Sequence, residues 1–105
     1  MIANHADPLL PDRVFAALAS TPRRQIIAFL SQTALSTADL AQRFGMSAPA
    51  VSRHLALLAE AGLVSGERQG QRVLYRLNRD PLLDVLAQFA LEVDGAVRRA
   101  PREAL

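Results

Sequence analysis

Apolar residues recur along this chain in two rhythms, and the switch between them near residue 63 predicts its architecture. Up to residue 62 the spacing is helical. Val14, Phe15, Leu18 and Ala19 follow Asp12, which can cap a first helix, and Ile26, Ile27 and Leu30 follow Thr21-Pro22, a typical helix opening. Leu40, Ala41 and Phe44 give a shorter amphipathic helix within residues 36–46, closed by Gly45. Val51, Leu55 and Leu58 then stand at i, i+4 and i+7 of a fourth helix. Ser47 is its N-cap, Pro49 sits where a missing donor is harmless, and Gly62 supplies a left-handed stop. Ala48, Ser52, Arg53 and Ala56 fall on the other faces, so one side of this helix holds a core while another stays slim and polar.

Beyond Gly62 the period becomes two. Val73, Tyr75 and Leu77 alternate with Arg72, Leu74 and Arg76, and Gly70 near the middle of residues 63–77 predicts a β-hairpin whose tip carries Arg68, Gln69, Gln71 and Arg72. Helical spacing returns after Asp80-Pro81. Leu82, Val85, Leu86, Phe89, Ala90, Val93 and Val97 form an apolar face broader than a small domain covers by itself. The predicted fold is mainly α, a winged helix-turn-helix of about five helices plus a two-stranded β-hairpin wing. Its third and fourth helices meet across Gly45-Met46-Ser47, and the fourth is slim enough to enter a DNA major groove. Residues 11–98 are expected to form one domain, with 1–10 as a flexible arm and 99–105 as a flexible tail.

Composition narrows the function. The 105 residues contain no run of eighteen apolar positions and no secretory leader pattern, so a soluble cytoplasmic protein without membrane contact is expected. Zero cysteines agree with that address and exclude disulfides, thiolate metal sites and cysteine redox switches. The isoelectric point near 10.4 overstates the basicity of a chain whose net charge is only +2. All twelve basic residues are arginine, and without lysines titrating near pH 10 a small excess lifts the isoelectric point steeply. The distribution is more telling. Residues 43–79 hold Arg43, Arg53, Arg68, Arg72, Arg76 and Arg79 against Glu60 and Glu67, while the remainder of the chain is net acidic. Positive charge concentrated on the fourth helix and hairpin points to double-stranded DNA as the partner. No catalytic site and no cofactor are expected, because His54, the one internal histidine, lies on the reader helix and there is no glycine-rich phosphate loop.

The candidate DNA-binding residues follow from the exposed side of that helix and from the hairpin tip. Ser52 and Arg53 are best placed for base edges, since arginine can fork onto guanine O6 and N7, with base or phosphate contact left open. Ser47 can bond a phosphate as well as cap. Ala48, Pro49 and Ala50 either touch a thymine methyl or simply keep the helix slim. His54 can donate to a phosphate or brace Ser47. Arg68, Gln69, Gln71 and Arg72 can donate to phosphates or reach a minor groove, the plainer alternative being ordinary hairpin charges. Arg24 is expected either near the DNA backbone or in a surface ion pair, and Tyr75 in the core.

Residues 21–78 resemble the ArsR/SmtB family of bacterial winged helix-turn-helix regulators. The matching pieces are Thr21-Pro22-Arg23-Arg24-Gln25-Ile26-Ile27, Asp39-Leu40-Ala41, residues 47–58 with the Ser-x-His-Leu signature at Ser52 to Leu55, Ala61-Gly62-Leu63-Val64, and Tyr75-Arg76-Leu77. The resemblance implies a homodimeric, sequence-specific regulator that binds an inverted-repeat operator, usually as a repressor of its own or a neighbouring gene. It also implies that the first and last helices pack across a two-fold axis, which assigns Val14, Phe15, Leu18, Leu82, Leu86, Phe89, Val93 and Val97 to the dimer interface. Many members sense metals through two cysteines before the reader helix or through Asp and His on the last helix. Here the first places hold Ser36 and Ala38, and the last helix offers Asp84, Glu92 and Asp94 without a histidine, so neither metal nor thiol sensing is expected and the effector is unknown. The competing expectation is a winged-helix protein-docking module without specific DNA binding.

Overall fold

The structure, a computed structural model, describes residues 8–99, the side chains of residues 96–99 excepted. Among the described residues the order is α1 (Leu10–Leu18), α2 (Thr21–Leu30), β1 (Leu35–Ser36), α3 (Thr37–Phe44), α4 (Ala48–Glu60), β2 (Val64–Gln69), β3 (Arg72–Leu77) and α5 (Arg79–Arg99). This is the winged helix-turn-helix the hydrophobic pattern predicts, with two local differences.

The first is where α1 begins. Asp12 is not its cap: the helix starts at Leu10 with Leu9 as N-cap, no side chain caps it, and Asp12 lies within the first turn. Pro11, pre-set for a first helical turn, carries the start upstream, and Asp12 stabilises the helix through its charge near the N-terminus instead. Leu10, expected in the arm, is therefore helical and packs against the core. At the other end α5 runs through Arg99, expected in the tail. Residues 1–7 and 100–105 of the expected arm and tail lie outside the described residues.

The second difference is a third strand. β1 joins the hairpin on the far side of β3, giving the antiparallel order β1-β3-β2 with Leu35 opposite Tyr75 and Ser36 opposite Leu74. Two residues, both buried, carry no alternation for a sequence pattern to reveal. The hairpin runs in register from Val64 opposite Leu77 to Gln69 opposite Arg72. Its two-residue turn starts at Gly70, whose φ of +65° suits glycine. At Gly66 a Cβ would stand 3.0 Å from both Tyr75 Cε1 and Val73 Cγ1, so the bare backbone lets the Tyr75 ring lie against the strand.

Helix α4 sits at the centre. Its Val51, Leu55 and Leu58 are buried together with Val14 of α1, Ile26 and Leu30 of α2, Leu40 of α3, Leu63, and Leu82 and Val85 of α5. Both ends of α4 are chemically closed. Ser47 Oγ accepts from the Ala50 N–H at 3.2 Å. At the far end the Leu63 N–H reaches Leu58 O at 2.9 Å and the Gly62 N–H reaches Ala59 O at 2.9 Å, a Schellman stop with Gly62 at φ +79° and Leu63 tucked into the core. Because Leu55 is only 1 % exposed at the middle of this helix, Leu55→Ala is expected to cost about 2–5 kcal/mol, measured by urea unfolding. A loss below about 1 kcal/mol would mean the core does not close on α4.

Candidate nucleic-acid interface

The helix-turn-helix is set by capping. Ser36 begins α3 with a reciprocal capping box, its Oγ accepting from the Asp39 N–H at 3.1 Å and Asp39 Oδ2 accepting from the Ser36 N–H at 3.0 Å. Gly45, at φ +66°, ends α3 in the left-handed conformation, and the N–H groups of Gly45 and Met46 both turn back to Ala41 O at 2.9 and 3.3 Å. Ser47 then opens α4 only two residues after that glycine. With Val51, Leu55 and Leu58 inward, Ser47, Ala48, Pro49, Ser52, Arg53 and Ala56 are left exposed. The exposed side chains of this half of α4 are therefore short, apart from the single long cation Arg53.

His54 lies between the buried and exposed sides of α4, and it is engaged. Arg23 Nη1 approaches its Nδ1 at 3.4 Å while Arg23 Nε donates to Ala17 O at 2.7 Å and Nη2 to Ala16 O at 3.3 Å. Arginine has no acceptor, so Nδ1 must be the acceptor and the ring proton resides on Nε2. The expected brace from His54 to Ser47 is not made: the ring turns to Arg23, and Ser47 Oγ serves the Ala50 N–H. Desolvation first, then the charges of Arg23 and Arg53, push the imidazole pKa below its ordinary 6.5. The shift favours the neutral ring, consistent with Nδ1 accepting from Arg23.

The hairpin tip is the second element. Arg68, Gln69 and Gln71 are exposed there, with Arg68 Nη1 near Gly70 O at 3.5 Å. Arg72 is not a spare cation. Its Nη2 donates to Asp39 Oδ2 at 2.8 Å and to Ser36 Oγ at 3.2 Å. Asp39 in turn has its pKa lowered, chiefly by the Ser36 N–H, then by the Ser36 hydroxyl, with Arg72 and Arg43 adding. Asn78 anchors the base of the wing, its N–H donating to Leu63 O at 2.8 Å and its Nδ2 to Gly62 O at 3.0 Å.

Several of these roles escape a reading of periodicity. The Ser-x-x-Asp spacing at Ser36 and Asp39 is a legible capping signal, whereas Arg23, Arg72 and Asn78 find partners far away in the sequence. Arg24, expected near DNA or in an ion pair, donates to Leu18 O and Thr21 Oγ1. Arg23 and Arg24 together close the C-terminal carbonyls of α1, where cations are favoured.

The expected dimer face divides in two. Val14 and Leu82, at 0 % and 7 % exposure, are core residues of this chain and offer little surface to a partner. Leu18 is half-buried against the same core. Phe15, Leu86, Phe89 and Val93 remain exposed, joined by Leu83 and Leu91, and the Phe15 and Phe89 rings meet edge to face at 5.4 Å. A groove of about 650 Å³ between α1 and α5 is lined by Leu10, Pro11, Phe15, Val85, Phe89 and Leu91, with Asp84 and Glu92 beside it. The side chain of Val97 lies outside the described residues.

Residues 21–65 match the family described as bacterial regulatory protein, arsR family. The chain is 36 % identical over 73 residues to the transcriptional repressor SdpR of Bacillus subtilis, covering 70 % of this chain and 81 % of that protein. It superposes on a crystal structure of an ArsR family transcriptional regulator with a TM-score of 0.78 at 26 % identity, covering 90 % of this chain and 97 % of the other. It also superposes on the homodimeric winged helix-turn-helix DNA-binding domain of a possible ArsR-family regulator from Mycobacterium bovis, with a TM-score of 0.67 at 30 % identity over 84 % of this chain and 82 % of that one.

The His54 geometry sets a pH dependence. A histidine whose folded pKa lies below its unfolded value favours folding above the unfolded pKa, so stability is expected to fall as pH drops below 6.5 toward the folded value. Thermal unfolding between pH 7.5 and 5.5 should show this decline, and His54→Gln should flatten it. An imidazole proton resonance of His54 titrating at or above 6.5 contradicts the assignment.

Proposed function

Because the chain belongs to the arsR family of bacterial regulatory proteins, we propose that it is a homodimeric transcriptional repressor that reads an inverted-repeat operator in double-stranded DNA. One observation carries this reading: over its N-terminal half the exposed side of α4 holds short side chains besides Arg53, closed at the N-terminus by Ser47 and carrying Ser52 and Arg53 outward, while the exposed Leu57 lies further along. An α-helix of that profile fits the major groove, where arginine forks onto guanine and short side chains permit close approach. Ser52 and Arg53 supply base discrimination. Ser47, with the Nε2–H of His54, meets phosphates, and Ala48 and Pro49 keep the approach clear. Arg68, Gln69 and Gln71 reach the flanking backbone or minor groove from the wing.

Dimerisation is supported by the unpartnered half of α5. Positions 86–94 are all exposed, and Leu86, Phe89, Leu91 and Val93 among them are large and apolar. A second copy placing the same face against this one buries each residue twice, and Phe15 with the groove beside it extends the patch onto α1. Two α4 helices one DNA turn apart, about 34–36 Å, then enter successive major grooves. The protein is read as neither a metal nor a thiol sensor, because it has no cysteine and its last helix carries carboxylates without histidine.

Fluorescence anisotropy against the DNA upstream of its own gene and a scrambled duplex, across a salt series, tests the reading. Nanomolar binding with a preference of about a thousandfold is expected. Equal weak binding to both favours a protein-docking module. Arg53→Ala is expected to cost about 1–3 kcal/mol and relax the base preference, whereas unchanged discrimination removes Arg53 from base reading. Phe89→Asp is expected to convert dimer to monomer in sedimentation equilibrium and to abolish operator binding at nanomolar protein.

A further inference from the structure

The wing is poorly supported over its outer half. β1 pairs only with Leu74 and Tyr75 of β3, so from Val73 outward the edge of β3 facing the helices has no strand against it. A two-stranded ribbon on its own twists and is marginally stable in water. Arg72 stands on this stretch, at the last paired position before the turn, opposite Gln69. Its guanidinium does not extend to solvent alone. It reaches back 33 positions in sequence to Asp39 Oδ2 at 2.8 Å and also contacts Ser36 Oγ at 3.2 Å. Those two acceptors are already locked to each other by the α3 capping box.

From this we infer that Asp39 and Arg72 form a strut holding the wing tip at a set angle to the helix-turn-helix, and that both are positioning residues for DNA recognition rather than phosphate ligands. The inference rests on the DNA-binding reading above. Chemistry favours the strut. The anchor side, Ser36, is only 4 % exposed and bound at its N–H and its hydroxyl, so Arg72 bonds to a rigid point. The arginine, still 60 % exposed, is paired there with a carboxylate that is itself 36 % exposed. Arg68, Gln69 and Gln71 at the tip take their aim from that angle.

The two roles for Arg72 give opposite results with Arg72→Ala, Asp39→Asn and the double variant of the full chain. Asparagine at position 39 keeps an oxygen for the Ser36 N–H, so the capping box survives while the charge is lost. For a strut, each single variant weakens operator binding about two- to fivefold and the double weakens it no further, the non-additivity of a coupled pair. The slope of log K against log salt stays at the wild-type value. Without DNA, the ¹⁵N order parameters of the Gly70 and Gln71 amides fall in Asp39→Asn. The inference is overturned if Arg72→Ala makes the salt slope shallower by about one while Asp39→Asn binds tighter, the signature of a phosphate contact beside a repelling carboxylate. Unchanged order parameters at the wing tip of Asp39→Asn overturn it as well. A wild-type protein without operator preference would sink the DNA reading separately, and the order parameters would still decide the strut.

Discussion

Every surface this protein offers to DNA hangs on the rotation of α4 about its own axis, and that rotation is set by burying Val51, Leu55 and Leu58 to 1 % exposure or less. Each fully buried aliphatic side chain of this size favours the folded state by about 1.5–3 kcal/mol. Turning the helix by one residue, about 100°, would expose part of that stripe and carry Ser52 inward in one direction or His54 and Leu57 in the other. The opposite face is therefore as rigidly aimed as the core is packed. Leu40 from α3, Leu63 after the Schellman stop, and Leu82 from α5 belong to the same buried cluster, so both partners of the helix-turn-helix and the root of the wing share one apolar core.

Arginine serves here first as a building material. Arg23 and Arg24 close the carbonyl end of α1, Arg72 ties the wing to α3, Arg79 donates to Ser31 O, and Arg43 lies over the Phe29 ring at 5.5 Å. The planar, permanently charged guanidinium reaches two acceptors at once, which a lysine ammonium does less well. Net charge is thus a poor guide to the number of cations available to DNA. The positive surplus of residues 43–79 is real, but part of it is consumed within the fold, and the exposed Arg53 on the reader helix gains weight accordingly.

Helix α5 plays two parts along one length. Its Leu82 and Val85 complete the core of the domain, while Leu86, Phe89 and Val93, further along the helix, stay exposed. The Phe15–Phe89 contact links that outer stretch to α1, so the core, the reader helix and the proposed interface are mechanically continuous.

The helices, their caps and the hairpin were legible in the sequence because each is a local property. Ser47, Gly45, Gly62 and Gly70 act within a few residues of themselves, and apolar positions at period 3.6 or 2 mark the faces that must be buried. The slim face of α4 follows from the same periodicity. Asp12 and Pro11 both suit a first turn, and the proline's fixed φ decides where α1 starts. What only the tertiary structure decided is where long polar side chains end. Arg72 beside Asp39, Arg23 beside His54 and Asn78 beside Gly62 are separated by 33, 31 and 16 positions, so no local spacing encodes them. For the same reason the sequence could not tell Val14 and Leu82, consumed by the core, from Phe15 and Phe89, left outside it. Amphipathic spacing shows that a face is apolar, and only packing shows what covers it.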